Sequence, residues 1–155
     1  MVYAVSESEA KIDPKSQDGF YRQGFMQLIG GKLLEAADGR AVIEVPFRDD
    51  LTQQHGYFHG GVVSAIADTA SGYAAYSTMP PDASVLTVEF KINLVNPAVG
   101  DRLRAEANVH KAGRTLVVVG ATVSAIRGEE AKVCAEMLGT FIVLRNTSDV
   151  EPKEG

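Results

Sequence analysis

The sequence predicts an α+β fold in which a curved antiparallel sheet of about six strands wraps around one long central helix. The helix is predicted because a run of mostly small and apolar residues, without proline, extends from the pair Gly60-Gly61 to about Tyr76. Such a run is typical of a helix that is buried on nearly all sides. The sheet is predicted because apolar and polar side chains alternate in several segments, most clearly from Ser84 to Asn96, and this alternation indicates half-buried strands.

The chain before the central helix contains one predicted helix and two predicted strands. Met1 to Asp18 is polar and is expected to be a flexible segment at the surface. A short amphipathic helix is predicted from Gly19, because it contains Phe20, Phe25, Leu28 and Ile29 and is followed by Gly30-Gly31, which would end it. Asp38-Gly39 is a tight-turn pair between the predicted strands 32–36 and 40–47, and Pro46 indicates an edge strand or a strand end.

The chain after the central helix is predicted to form an antiparallel meander. Residues 48–58 are predicted to form a loop that leads into the central helix. The prolines in Thr78 to Asp82 are expected to end this helix. Four strands follow in succession, and the third, from Arg114 to Ile126, is apolar on both faces near its start and is therefore expected to be central. In the first of these strands, Leu86, Val88, Phe90, Ile92 and Leu94 alternate with Thr87, Glu89, Lys91 and Asn93.

Composition and charge exclude several classes of protein. The chain has 155 residues, of which 45% are hydrophobic and 23% are charged, and this is ordinary for one soluble domain, expected at residues 19–144 with a loose tail at 145–155. A net charge of -5 argues against a nucleic-acid-binding protein. Cys134 is the single cysteine, which favours a reducing compartment. No signal peptide and no apolar segment long enough to span a bilayer is recognisable, so a cytoplasmic location is expected.

Common catalytic motifs are missing from the sequence. It contains no Gly-x-Ser-x-Gly, no P-loop and no Gly-x-Gly-x-x-Gly. The three histidines, at positions 55, 59 and 110, are not spaced like a metal-binding set. We therefore expect no metal.

The start of the central helix has the features of an oxyanion site. The first amides of a helix lack intrahelical partners and lie at the positive end of its dipole. Gly60 and Gly61 have no side chains to obstruct a carbonyl oxygen that approaches those amides. The alternative is that the pair only allows a tight corner between loop and helix.

Asp68 is an unusual residue for the middle of an apolar helix. Aspartate is unfavourable there, and a charge within apolar surroundings is costly unless it is paired. The sequence leaves two interpretations open: Asp68 caps a neighbouring turn or pairs with an arginine, or it is a catalytic carboxylate.

Gly60 and Asp68 are too far apart along one helix to act on one small group. They are eight positions apart, and this is roughly 12 Å along a helix axis. If both act in one reaction, Asp68 must come from a second copy of the chain. An isologous dimer with opposed helices would bring each helix start towards the other copy's Asp68.

These residues resemble a known family. His59-Gly60-Gly61 followed by Asp68, then Thr87-Val88-Glu89-Phe90 and Asn96-Pro97, is similar to the hotdog-fold acyl-CoA thioesterases, in the branch of the phenylacetate-pathway thioesterase and the mammalian thioesterase-superfamily proteins. The resemblance covers residues 51–144. It implies a hotdog fold, assembly as a dimer or a tetramer of dimers, and hydrolysis of acyl-CoA.

The resemblance also implies roles for individual residues. The carboxylate of Asp68 would be nucleophile or general base, the Gly60 amide would polarise the thioester carbonyl, and His59 would help to orient the site. Thr87 would assist the attacking water, although threonine is also common in strands. Where the family often has asparagine, six residues before the histidine, this chain has Gln53, with Gln54 beside it.

The substrate is expected to be acyl-CoA, with no separate cofactor. Gly61, Gln54 and Arg114 are candidates for substrate binding, and His55 and Tyr57 for the entrance to the site. Coenzyme A is polyanionic, so a basic patch is expected, and Arg102, Arg104, Lys111 and Arg114 lie around one predicted hairpin. A solvated strand face explains these charges equally well.

Two other functions remain open at this point. A hydratase or dehydratase could use the same fold, but the Asp-x-Asn-x-x-His pattern of the hydratases is absent. A non-catalytic acyl-CoA-binding protein is the third possibility.

Overall fold

The computed structural model describes residues 10–147 and contains one antiparallel sheet and one long helix. The helices are α1 (Pro14–Tyr21), α2 (Gly24–Ile29) and α3 (Gly60–Tyr76), and a short 3-10 turn covers Asp49–Leu51. The strands are β1 (Lys32–Ala37), β2 (Arg40–Pro46), β3 (Ser84–Leu94), β4 (Arg102–Ala112), β5 (Leu116–Arg127) and β6 (Glu130–Leu144). The predicted fold class is confirmed.

Helix α3 packs on the inner face of the sheet, and this contact forms the core. Its buried residues, which include Val63, Ile66 and Ala70, meet strands whose inward residues alternate with polar ones. The inward face carries many alanines, such as Ala105 and Ala107 of β4, both fully buried. These small side chains allow the helix to approach the sheet closely. No helix within residues 10–147 is long and apolar enough to cross a membrane.

The sheet order differs from the predicted meander. The strands are arranged β1-β2-β4-β5-β6-β3, so of the four strands after the helix only β4, β5 and β6 are successive neighbours. Strand β3 pairs with β6 instead of β4 and lies at the edge of the sheet. The prediction of four successive neighbours was wrong because alternation identifies a strand but not its neighbour. Strand β5 is central, as predicted.

Strand β3 is also much more exposed than a half-buried strand. Leu86, Val88 and Leu94 are each more than half exposed, and Phe90 is 39% exposed. An edge strand with unpaired backbone groups and exposed apolar side chains is a surface on which another strand can pair.

The chain before α3 departs from prediction in two places. The expected flexible segment to Asp18 overlaps α1, which begins at Pro14 with Asp13 as its N-cap, and Ser16 is buried. The Asp-Pro pair and the later serine form a helix-start signal that the polar composition concealed. The single helix expected from Gly19 is divided into two, α1 and α2, and Gly30 ends α2 with φ of 75°.

The two ends of the chain are only partly described. Residues 1–9 and 148–155, which include most of the predicted loose tail, lie outside the described residues. Thr147 donates its backbone N–H to the carbonyl of Asp82 at 3.2 Å, so the start of that tail is held against the domain. Pro46 is the last residue of β2, which confirms a strand end, but β2 is not an edge strand.

Candidate active site

Asp68 lies near the middle of α3 and receives a hydrogen bond from β3. Thr87 Oγ1 donates to Asp68 Oδ1 at 2.8 Å. The ion pairs of residues 10–147 do not include Asp68, so the interpretation that it pairs with an arginine does not fit this structure. One carboxylate oxygen, Oδ1, is held by Thr87, and Oδ2 has no hydrogen-bond partner among the described residues.

A β-bulge in β3 explains how Thr87 reaches the helix. The pairing of β3 with β6 shifts register between Thr87 and Glu89, so one extra residue, Val88, interrupts the alternation. Thr87 pairs with the buried Phe141, and after the bulge Ile92 pairs with the buried Met137. Thr87 and Ile92 therefore face the helix, although strict alternation in the sequence would place them on opposite faces.

The surroundings of Asp68 favour its protonated form. Burial raises the pKa of Asp68 above its usual value, and the hydrogen bond from Thr87 acts in the opposite direction by stabilising the carboxylate. A carboxyl group with a raised pKa is a better proton acceptor when ionised than an ordinary aspartate. This is the behaviour required of a general base.

The start of α3 is capped by its own histidine. The Gly61 N–H donates to Nδ1 of His59 at 2.8 Å, so His59 is the N-cap. The Gly61 amide is thereby occupied. The Gly60 amide is the first of the helix, has no intrahelical acceptor, and has no acceptor among the hydrogen bonds of the described residues. Of the two glycine amides, Gly60 is the one available to an oxyanion.

Gln53 belongs to a tight loop that leads to the helix start. Its side-chain Oε1 accepts a hydrogen bond from the backbone N–H of His55. The backbone N–H of Gln53 donates to the carbonyl of Tyr57 at 2.9 Å. Because the amide oxygen is occupied within the loop, the Nε2 group of Gln53 is the part of the side chain left to contact a ligand. Nε2 can only donate.

Two separate cavities of about 400 Å³ each lie at these two regions of α3. The cavity at the carboxylate, the Asp68 pocket, is lined by Gly19, Arg22, Gln23, Asp68, Thr69, Gly72, Tyr73, Tyr76, Val85, Thr87 and Phe141. The cavity at the helix start, the Gly60 pocket, is lined by Gln53, Tyr57, Phe58, Gly60, Val63, Leu94, Asn96, Pro97, Ala98 and Cys134. They share no lining residue.

The thiol in the Gly60 pocket is unsuited to act as a nucleophile. Burial raises the pKa of Cys134 to about 11, and its Sγ donates to the carbonyl of Val123 at 3.3 Å. It therefore stays protonated at neutral pH, and the thiolate is the reactive form. Residues 10–147 contain no cluster of three or more His, Cys, Asp or Glu side chains that could hold a metal ion.

The structure brings some of the predicted site residues together and leaves others apart. Thr87 joins Asp68 in one pocket, and Gln53 and Tyr57 join Gly60 in the other, with His59 beside them. Neither pocket is lined by Gln54 or Arg114. Arg114 lies between β4 and β5, where its carbonyl accepts a hydrogen bond from Arg145.

Half of the predicted basic patch is engaged in ion pairs with a single carboxylate. Arg102 and Arg104 both pair with Glu44, at 3.2 and 2.6 Å. Glu44 lies on β2, whose pairing with β4 places it opposite Arg104. The sequence could not show this partner because the two strands are distant in the chain.

Sequence reasoning missed the wall that the end of α1 and the link from α1 to α2 provide. Gly19, Arg22 and Gln23 line the Asp68 pocket, and Gln23 Nε2 donates to the hydroxyl of Tyr73 at 3.0 Å. No motif marks these residues. Gly72 could have been found, since it lies one helical turn after Asp68 and so on the same face.

Comparisons with known proteins identify the family of this chain. A family model described as thioesterase superfamily matches residues 55–132. A putative esterase from Saccharolobus solfataricus is 32% identical over 127 residues, which are 82% of this chain and 82% of that protein. A 1,4-dihydroxy-2-naphthoyl-CoA hydrolase from Listeria monocytogenes is 30% identical over 70 residues, 45% of this chain and 57% of its own.

A solved structure of a similar protein also belongs to the thioesterase family. The crystal structure of a thioesterase family protein from Silicibacter pomeroyi is 45% identical, with a TM-score of 0.83, over 84% of this chain and 96% of that one. The predicted family and its class of enzyme, a thioester hydrolase, are confirmed. The chain belongs to the thioesterase superfamily.

Proposed function

We propose that the protein hydrolyses the thioester of acyl-CoA to a free acid and CoA, in active sites that are each shared by two protomers. Asp68 of one protomer is the nucleophile or general base, and the Gly60 amide of the other binds the oxyanion. The similarity to a naphthoyl-CoA hydrolase supports a CoA-linked substrate. No cofactor beyond this substrate is required.

The observation that carries the proposal is the separation of the two groups on one helix. The available glycine amide is at the start of α3, and the carboxylate is eight residues later in another pocket. One carbonyl group cannot contact both across roughly 12 Å. Each chain therefore contributes Asp68 to one active site and the Gly60 amide to another.

The exposed edge of β3 supports an arrangement that joins the halves. Thr87, near one end of β3, holds Asp68, and Leu94, at the other end, lies beside Gly60, where an added Cβ would meet Leu94 Cδ1 at 3.0 Å. Antiparallel pairing of β3 with the same strand of a second copy, centred near Phe90 and Lys91, sets the Thr87 end of one strand opposite the Leu94 end of the other. The exposed Val88, Phe90 and Leu94 would then be covered.

The chemistry follows from these positions. In the general-base route, Asp68 removes a proton from water, the water oxygen attacks the thioester carbon, and the oxyanion is stabilised by the Gly60 amide until the C–S bond breaks. CoA leaves as a thiolate and takes up a proton. In the nucleophilic route, the carboxylate attacks the carbon, CoA leaves from a mixed anhydride, and water then hydrolyses that anhydride. Both routes require ionised Asp68 and the same oxyanion donor.

The remaining site residues have supporting roles in this proposal. Thr87 fixes the carboxylate through Oδ1, and His59 occupies the Gly61 amide so that the helix start keeps its shape. Gln53 adds its Nε2 group as a second donor near the oxyanion. Gln54, Gly61 and Arg114 remain candidates for contacts with CoA, and pairing of dimers into tetramers remains a prediction.

Mixing two inactive variants tests whether the site is shared. Asp68→Asn removes the base. Gly60→Pro removes the amide donor at a position that suits proline, because proline is favoured at the first position of a helix and His59 already has the extended conformation of a residue before proline, with ψ of 136°. The ring also adds a Cβ that meets Leu94 Cδ1 at 3.0 Å, and Gly60→Ala controls for that contact. Random re-pairing of equal amounts gives half heterodimers with one intact site of two, so about a quarter of wild-type thiol release is expected.

The outcomes separate this proposal from its alternatives. Thiol release over a panel of short, medium, long and aromatic acyl-CoAs establishes the activity of the wild-type protein. Recovery on mixing supports shared sites, and no recovery from two inactive but dimeric variants contradicts them. Hydration of enoyl-CoA without thiol release would instead indicate a hydratase, and acyl-CoA binding without turnover a binding protein.

A further inference from the structure

Gly72 lies in the interior of α3 without any of the usual reasons for a glycine. Its φ is not positive, so its backbone conformation is open to any residue. Among the described residues, an added Cβ would meet only Phe141 Cε1 within 4 Å, at the ordinary contact distance of 3.9 Å. Glycine is unfavourable within a helix, so the missing side chain requires another explanation.

The position of Gly72 supplies that explanation. It lies one turn after Asp68, and both line the Asp68 pocket together with Tyr76, Val85 and Phe141. A side chain at Gly72 would project into this pocket beside the carboxylate. The space that the glycine leaves is therefore next to the Asp68 carboxylate.

The opposite wall of the pocket cannot withdraw to make room. Phe141 is fully buried, and its ring lies against Gly139, where an added Cβ would come within 3.0 Å of Phe141 Cε2. Tyr73 and Tyr76, on the helix side, are also buried and contact each other edge to face, with ring centroids 6.3 Å apart. A larger residue at position 72 therefore reduces the pocket instead of displacing its walls.

The surroundings of the two pockets favour one assignment of the substrate to them. The Gly60 pocket has mostly apolar walls, but it opens beside a loop whose residues 54–57 are all exposed, so it can take the arm of CoA that leads to solvent. The Asp68 pocket has polar side chains on one side, including Arg22 and Gln23. On the side of Gly72 it has a largely buried apolar wall, which suits an acyl group and is formed by Tyr73, Tyr76, Val85 and Phe141.

We propose that Gly72 determines the acyl specificity of the enzyme by leaving room for acyl groups larger than acetyl in the Asp68 pocket. This inference rests on the proposed thioesterase function. It assigns to Gly72 a role in the choice of substrate and no role in the chemical step.

The test compares Gly72→Ala and Gly72→Leu with the wild-type protein. For each, kcat/KM is measured with acetyl-CoA, octanoyl-CoA and phenylacetyl-CoA, and the oligomeric state is measured by light scattering. Gly24→Leu is the matched control, because it adds the same side chain at an exposed glycine that has nothing within 4 Å of its added Cβ and does not line the pocket. Gly72→Ala controls for the gain in helix propensity that follows when any other residue replaces this glycine.

We expect Gly72→Leu to lower the ratio of octanoyl to acetyl activity at least about tenfold, with a similar loss for phenylacetyl-CoA and an unchanged oligomeric state. Gly72→Ala and Gly24→Leu should change this ratio much less. Parallel loss of all three activities, an unchanged ratio, or dissociation of the oligomer by Gly72→Leu would overturn the inference, since dissociation would show that the glycine serves helix contact between copies.

Binding of non-hydrolysable thioether analogues keeps this test independent of turnover. If the wild-type protein releases no thiol from any acyl-CoA, the proposed function fails. Calorimetric titration with S-octyl-CoA and S-ethyl-CoA then still decides whether Gly72→Leu discriminates against the larger group. Equal weakening of both analogues would contradict the inference.

Discussion

The start and the middle of helix α3 present opposite electrostatic properties at similar pockets. At the start, a backbone amide without an acceptor among the described residues lies at the positive end of the helix dipole, and glycine leaves it uncovered. In the middle, a carboxylate is held by a single hydroxyl and is partly removed from water. In the proposed mechanism, the first region stabilises developing negative charge, and the second supplies the group that creates it.

The proposed mechanism explains why neither region would be sufficient by itself. A rigid helix keeps the amide donor and the carboxylate apart, so they cannot neutralise each other within one chain. In the proposal, they act on one carbonyl only when a second helix, running in the opposite direction, brings the other half. The most direct experiments change one region and leave the other intact.

The largest expected effect comes from the middle of the helix. Asp68→Asn should lower kcat by about 10²- to 10⁴-fold, because the amide can neither accept the proton nor attack. Thiol release under saturating acyl-CoA measures this. Turnover close to that of the wild-type protein would remove Asp68 from the mechanism.

The same variant should be at least as stable as the wild-type protein. Burial raises the pKa of Asp68 in the folded state, so the folded protein binds this proton more tightly than the unfolded chain. Stability is then lost as pH rises from the ordinary aspartate range through the raised pKa. The amide of the Asp68→Asn variant carries no such penalty, and the advantage of this variant in thermal unfolding should be present at pH 7 and absent at low pH.

The next effect in size comes from the start of the helix. Gly60→Pro should lower kcat by about 10²- to 10³-fold, the range seen when one oxyanion donor is removed. Gly60→Ala, which keeps the N–H, is the control, and it should retain most of the activity because its Cβ meets only the flexible end of Leu94. Equal losses in the two variants would indicate a steric effect and not the loss of a donor.

A smaller effect is expected from the residue that connects the helix to the sheet edge. Thr87→Val keeps the shape of the side chain but removes the hydrogen bond that lowers the pKa of Asp68. Because only the carboxylate is active, the acidic limb of the profile of kcat/KM against pH should move to higher pH. Thr87→Ser should return the acidic limb to its wild-type pH. Identical pH profiles for the Thr87→Val variant and the wild-type protein would show that this hydrogen bond is not made in the working enzyme.

The comparison between helix and edge strand also shows what the sequence could predict. The start of the helix at Gly60 and its end near Tyr76 are predictable because composition alone marks a buried helix. The Thr87 contact could not be derived from alternation, because a bulge at Val88 changes the face on which Thr87 lies. The edge position of β3 and the ion pairs of Glu44 depend on strand order, which local patterns do not contain. Of the candidate site, the residues in the motif could be named from the sequence, whereas the wall from the end of α1 and its link to α2 could not.

The smallest expected effect distinguishes shape from chemistry at the helix start. His59 accepts the Gly61 N–H through Nδ1, so His59→Ala removes an N-cap and should lower the free energy of unfolding by about 1 kcal/mol. Asparagine can accept the same hydrogen bond, and His59→Asn should therefore recover the stability. If His59→Asn also recovers kcat, the imidazole acts only by fixing the position of the Gly60 amide. If stability returns while kcat stays low, the exposed Nε2 of His59 contacts the substrate directly, and the start of the helix supplies a side chain as well as an amide to the reaction.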